Sequence, residues 1–310
     1  MKKLLVIIVM GIFFGGNVFA KNTKLVKGNS YQEKIKWQHL VYKLPEGKWK
    51  FLNKTHFSIE TIRLNCIEFL QAENNNFKGA YSICEVSSGG KYHAELGMIL
   101  SNTLKKGKHD NCTLRPEYFY AKLWVKGMSM NCFRVRHLDM DKELNYPDDP
   151  EAKNTLYIKE YIKDNNLELP KTLIQAMHMF YSPNIRDKGI EINHSINPEL
   201  YGVSKTINGE ETQSEYHRNN IKNHPIKKQF MIDWTKKKAI EHGDFEKNMK
   251  VKSHQKLDLS KFIKKKIKDV KSNTSENKDF INQINRLNDL YKSGSLTKEE
   301  FEKAKKKILD

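Results

Sequence analysis

Residues Phe57–Val86 read FSIETIRLNCIEFLQAENNNFKGAYSICEV. Phe57, Ile59, Ile62, Leu64, Cys66 and Phe69 mark one strand and Tyr81, Ile83 and Val86 a second. Between them, Glu73–Gly79 supplies a turn rich in Asn and Gly, the residue types that tolerate the backbone of a tight reversal. The stretch therefore predicts a β-hairpin. Working outward, Tyr92, Leu96, Ile99, Leu100 and Leu104 recur at helical spacing, and Gly107 stops that helix. A second hairpin is predicted from Tyr118–Trp124 and Cys132–Leu138 about Lys126-Gly127-Met128-Ser129, where aromatic and branched residues dominate. Asp149 before Pro150 starts a helix that ends near Asn165-Asn166, and Leu173–Tyr181 with Gly189–His194 suggest a third strand pair. Pro225 opens another helix with Ile226, Phe230, Trp234 and Ile240 on one face and Gly243 just past its end. Strands and helices in this irregular order, joined by hairpin-length turns, argue for an α+β fold. The expected architecture is an antiparallel sheet with packed helices rather than a doubly wound parallel sheet, followed by a linker and a C-terminal two-helix hairpin.

The composition fits a globular protein. The chain has 310 residues, 38% of them hydrophobic, which supports a real core and excludes wholesale disorder, fibrous and polytopic membrane classes. Fifty-five Lys and Arg against 37 Asp and Glu give a formal charge of +18. Only 7 of the basic residues are Arg, the side chain favoured for phosphate and base recognition, so nucleic acid is not the expected partner. An inert solvated surface accounts for the charge, and weak contact with an anionic envelope surface is the alternative. The basic character is concentrated late in the chain: Ile221–Asp310 holds 24 basic and 13 acidic residues.

Met1–Ala20, MKKLLVIIVMGIFFGGNVFA, has a basic start, an apolar run and small residues three and one before a cleavage point. That is the layout of a secretory signal peptide, and the apolar run is shorter than a membrane span requires. Export is expected, to the periplasm in a Gram-negative bacterium and otherwise to the extracellular space. Cys66, Cys84, Cys112 and Cys132 are an even set in an oxidising compartment, which points to two disulfides within a domain covering residues 21–248. Three connectivities are open. The sequential one would close two loops of about 20 residues, each worth roughly 3 kcal/mol in the loop-entropy account. A four-thiolate zinc site usually shows paired C-x2-C knuckles, which these spacings lack.

Residues 249–279 read as a basic linker. Within it Leu259, Phe262, Ile263, Ile267 and Val270 fall on one helical arc, with Lys261, Lys264, Lys265, Lys268 and Lys271 opposite. Such a helix docks on a partner or on its own domain, or lies in an anionic membrane interface.

Phe280–Asp310 reads FINQINRLNDLYKSGSLTKEEFEKAKKKILD. Phe280, Ile281, Ile284, Leu287, Leu290 and Tyr291 outline one amphipathic helix closed by Ser293-Gly294. Thr297 and Glu300 then form a T-x-x-E capping box ahead of Phe301, Ala304, Ile308 and Leu309. Two helices this short cannot bury their apolar faces alone, so they need a companion: another copy, a different protein or their own chain. The spaced apolar residues, Gly294, Leu296-Thr297, Glu300-Phe301, Lys305 and Ile308-Leu309 resemble the SHOCT family, the short C-terminal domain. The resemblance implies an accessory module for oligomerisation or partner contact, with no catalytic residues.

Chemistry is sparse elsewhere. No H-E-x-x-H, C-x-x-C, phosphate-binding Gly loop or G-x-S-x-G is present, and no cofactor or metal is expected. His93 with Glu95, His109-Asp110 and His137-Leu138-Asp139 are local clusters best read as ordinary polar groups. Asp148-Asp149 and Glu210-Glu211 read as caps and turns. The expectation is a non-enzymatic exported protein. A periplasmic hydrolase or a ligand-binding sensor with a site assembled from distant residues is the alternative.

Overall fold

A computed structural model describes residues 23–59, 62–88, 117–126, 129–145, 153–182, 188–210, 212–249 and 296–309, with single positions between 96 and 115 and at 287 and 291. The signal segment and residues 250–279 of the expected linker lie outside the described residues, as does the capping role of Asp149; Met249, expected to open the linker, is instead buried in the core of the first unit. The chain divides into two compact units, Met1–Gln255 and Lys256–Asp310.

The first unit is built on one antiparallel sheet of eight strands in the order β1-β4-β5-β6-β10-β9-β8-β7. The strands are β1 (Ser30–Tyr31), β4 (Trp49–Ile59), β5 (Ile62–Glu73), β6 (Asn76–Ser88), β7 (Tyr118–Lys126), β8 (Ser129–Asp139), β9 (Thr172–Ser182) and β10 (Lys188–Ile196). A separate hairpin pairs β2 (Lys34–Trp37) with β3 (Leu40–Lys43). Among the described residues the α-helices with defined bounds are α1 (Met140–Asn145), α2 (Lys153–Asp164), α3 (Pro225–Asn248) and, in the second unit, α4 (Lys298–Leu309). Mostly antiparallel sheet with few helices is thus the observed architecture. Among the described residues no helix is long and apolar enough to cross a membrane.

The opening stretch forms three strands, not two. β4 ends at Ile59, β5 begins at Ile62, and these two residues face each other across the pair. The three-residue step from Ile59 to Ile62 is the signal: within one strand an odd step would move Ile62 to the opposite face. The next reversal falls at Asn74-Asn75, whose φ values of 48° and 63° are the left-handed positions of a type I′ turn, closed by the pair Glu73 and Asn76. Gly79, predicted as turn, lies inside β6, where a Cβ would sit 2.5 Å from the Ser195 carbonyl oxygen and 3.5 Å from the Trp49 ring. The β7–β8 and β9–β10 hairpins form as predicted. Leu96 and Leu100 are helical and buried.

Alternation sorts the sheet into two faces. One carries Trp49, Phe51, Ile67, Phe69, Ile83, Phe180 and Ile192, covered by Ile35, Trp37 and Tyr42 of the β2–β3 hairpin and by Phe245 of α3. The other holds two separate clusters. Val86, Leu96, Leu100, Met179 and Tyr181 form one with Cys112 and Cys132; Leu52, Leu70, Phe77, Leu138, Ile162 and Leu173 form the second. Cys66 and Cys84 occupy directly opposed positions on β5 and β6. They are disulfide-bonded to each other and Cys112 is bonded to Cys132, with Cα separations of 4.0 and 6.0 Å.

Helix α3 departs from its predicted end and face. It continues through Gly243 to Asn248, because Phe245 and Met249 beyond the glycine enter the core and hold the last turn. Ile226 and Ile240 are exposed, at 46% and 69%. The inward face runs instead through Lys227, Met231, Trp234, Thr235, Lys238, Ala239, His242 and Phe245. Its polar members are what a search for apolar periodicity passes over.

Candidate functional site

Two regions carry side chains of functional interest: the terminal helical segment and the polar contact beneath α3. In the terminal unit, Thr297 N–H donates to Glu300 Oε2 at 2.9 Å, and Glu300 N–H donates back to Thr297 Oγ1 at 3.3 Å. These bonds satisfy amides that the first turn of α4 leaves open. The Thr297 N–H and its hydroxyl, which donates to the same Glu300 Oε2 at 2.7 Å, hold the Glu300 carboxyl below its ordinary range. Tyr291, itself helical, stacks on Phe301 with ring centroids 4.7 Å apart. Leu287 is helical and buried, whereas Tyr291 is 40% exposed. Ile308 and Leu309 lie in the last turns of α4. Phe280, Ile281, Ile284 and Leu290 lie outside the described residues, as do Leu259, Phe262, Ile263, Ile267 and Val270.

The second region was not found from sequence. His178 of β9, His194 of β10 and Asn131 of β8 sit in phase with the apolar residues of the covered face. Lys238 and His242 meet them from α3. All five are at most 5% exposed. His242 Nδ1 lies 3.0 Å from His178 Nδ1, and its Nε2 contacts Asn131 Oδ1. An amide oxygen only accepts, so His242 Nε2 carries the proton and its Nδ1 is the lone-pair nitrogen. His178 Nδ1–H must then donate to it. That leaves His178 Nε2 as a buried acceptor without a partner. Asn131 Nδ2 donates onward to Glu246.

The neighbouring contact joins Lys238 to the sheet. Its ammonium lies 2.5 Å from His194 Nδ1 and 2.5 Å from Glu241 Oε2, and 4.5 Å over the Trp234 ring. His194 is boxed edge-on by Trp49, Tyr81 and Trp234. Phe133 and Phe180 stack on His178 and His242 respectively, at 5.2 and 4.8 Å. Burial in this aromatic surround disfavours every charged form. It pushes His242 down to about 3, and it lowers His178 and His194 well below the ordinary imidazole range, aided by neighbouring charge. Lys238 falls to about 8, burial outweighing the opposing pull of Glu241.

The local clusters noted in the sequence do not converge here. His137 is buried with its ring 6.3 Å from His217, and Asp139 Oδ1 accepts from the amides of Asp141 and Lys142 to cap α1. Glu210 N–H donates to Asn208 Oδ1 in a turn. His93, Glu95, His109, Asp110, Asp148, Asp149 and Glu211 lie outside the described residues. Among the described residues no group of three or more His, Cys, Asp or Glu is placed to hold a metal ion.

The described terminal residues form a capped helix with a ring stack beside it. Residues 282–309 match the SHOCT family, the Short C-terminal domain. No curated protein and no solved structure matches the chain.

Proposed function

We propose that this is an exported, non-enzymatic envelope protein whose terminal SHOCT domain forms a two-helix hairpin that mediates self-association or partner binding. The observation that carries this reading is the segment from Leu287 to Leu309. Thr297 and Glu300 cap its second helix, Tyr291 stacks on Phe301, and the Tyr291 ring remains 40% exposed. A helical pair of about 30 residues lacks the buried area to be stable by itself, so its apolar residues require a companion. The first unit serves in this reading as a disulfide-tied scaffold that survives the oxidising exterior. The export motif at Met1–Ala20 and two disulfides support that location.

Size-exclusion chromatography with light scattering on residues 21–310 and on a chain stopped at Lys278 tests the proposal. The longer chain is expected at a multiple of its monomer mass, or shifted by a partner from envelope extract, and the shorter one as a monomer. Identical monomeric masses with no partner shift reject it.

A further inference from the structure

We propose that α3 is a proton-sensitive latch: its buried polar links to β9 and β10 hold only while His194 is neutral and the His178–His242 pair carries no more than one added proton, so mild acid frees the helix from the sheet. The inference concerns the first unit and does not depend on the association reading.

The geometry sets the requirement. Lys238 can donate to His194 Nδ1 only if that nitrogen keeps its lone pair. One proton on His194 removes the bond and places an imidazolium against an ammonium at 2.5 Å, inside a box of Trp49, Tyr81 and Trp234. The histidine pair yields one step later. A first proton fits if His242 Nδ1–H donates to His178 Nδ1 and the His178 proton moves to Nε2, which has no partner to receive it. A second proton turns the 3.0 Å contact into donor against donor. Both direct polar links from the centre of α3 to β9 and β10 therefore break under the same change.

The surrounding charges do not cancel it. Glu246 lies 3.7 Å from His242 Nε2 and Glu241 is engaged by Lys238, and both carboxylates favour protonated imidazole. Against them stand Lys238 and Lys237 beside His194. From the sheet, β6 presents Tyr81 and Glu85, the latter tied to Lys188 of β10 at 2.6 Å. β3 presents Tyr42, and Lys122 of β7 lies over Trp124, whose ring stacks on His242. His137 of β8 faces His217 instead. Burial is the largest influence on all three histidines, and it favours the neutral ring.

The sign follows. Freed histidines take up a proton near pH 6.5, whereas docked His194 and one ring of the docked His178–His242 pair do not, so docking is complete above that value and is lost as pH falls below it. Each histidine multiplies the undocked fraction about tenfold per pH unit below roughly 6.5, so two of them raise it about a thousandfold by pH 5.

Hydrogen exchange on residues 21–310 at pH 7 and pH 5, corrected for intrinsic exchange rates, tests the latch. Amides of Met231–Phe245 are expected to lose at least a hundredfold of protection at pH 5 while the β5–β6 hairpin keeps its own. His194→Gln, which still accepts from Lys238 but does not titrate, is expected to remove about thirtyfold of that loss. The proposal is overturned if α3 stays protected at pH 5, if it opens in step with β5–β6, or if the variant responds like the parent. Should His194→Gln fail to fold, imidazole nitrogen spectra of the unaltered chain decide: the His194 ring must stay neutral until α3 exchanges, and protonation under a protected helix refutes the latch.

Discussion

Gly243→Ala separates two accounts of α3 by sign. As the residue just past a helix end, Gly243 would adopt the left-handed backbone that Ala resists, and the substitution would destabilise by about 1 kcal/mol. In the structure Gly243 is inside a helix that runs to Asn248, with no positive φ, and a Cβ placed on it meets nothing within 4 Å. Glycine in a helix interior costs about 0.8–1.0 kcal/mol relative to Ala. The substitution therefore gains close to that amount, because it narrows the unfolded ensemble without meeting a neighbour. For a unit of this size the gain corresponds to roughly 2–4 °C in the thermal midpoint. Urea titration followed by Trp fluorescence measures it, with the m-value unchanged. A loss of stability would show that α3 ends at His242, and the placing of Phe245 in the core would fall with it.

Other perturbations follow from buried groups. Glu68 is 2% exposed, its Oε2 has no partner, and burial pushes its carboxyl up to about 8. The folded state therefore holds a proton that the unfolded chain releases near 4.5, so stability falls as pH rises through 4.5–8. Glu68→Gln is expected to gain up to about 3 kcal/mol at pH 7 and nothing below pH 4.5, as read from urea curves at both values. Lys227 pairs with Glu215 in a buried contact. Lys227→Met strands the carboxylate and is expected to cost about 3–5 kcal/mol, and adding Glu215→Leu to restore much of it. Thr297→Ala removes the hydroxyl that donates to the Glu300 carboxylate and accepts from the Glu300 amide, leaving only the backbone N–H of residue 297 on that carboxylate; helical ellipticity from the terminal segment should drop, and the Glu300 carbon resonance should titrate closer to its ordinary value.

The sequence disclosed the hairpins because alternation and turn chemistry coincide there. Asn74-Asn75 advertise their reversal through residues that accept positive φ. The earlier reversal after Ile59 carries no Gly, Pro or Asn, and only the odd step in the apolar pattern betrays it. Gly79 and Gly243 misled for one physical reason: each serves a role other than chain reversal, close approach of the Ser195 carbonyl in the first case and an open helix surface in the second. The polar links beneath α3 escaped because burial patterns are sought in apolar residues, whereas here His178, His194, His242 and Lys238 occupy inward positions. The phase was legible: His178 follows Ile174 and Ala176 at even spacing, and His242 follows Trp234 and Lys238 at helical spacing. What no local pattern reports is that strands and a helix 64 residues apart bring two ring nitrogens to 3.0 Å.

Under the proposed function, a companion orders the terminal helices. Backbone resonances of residues 280–310, recorded within the intact chain from low to high concentration, test it most directly. Helical shifts are expected, with Leu287, Tyr291 and Phe301 broadening or moving as concentration rises or partner is added. Random-coil shifts that stay unchanged across the series would contradict it.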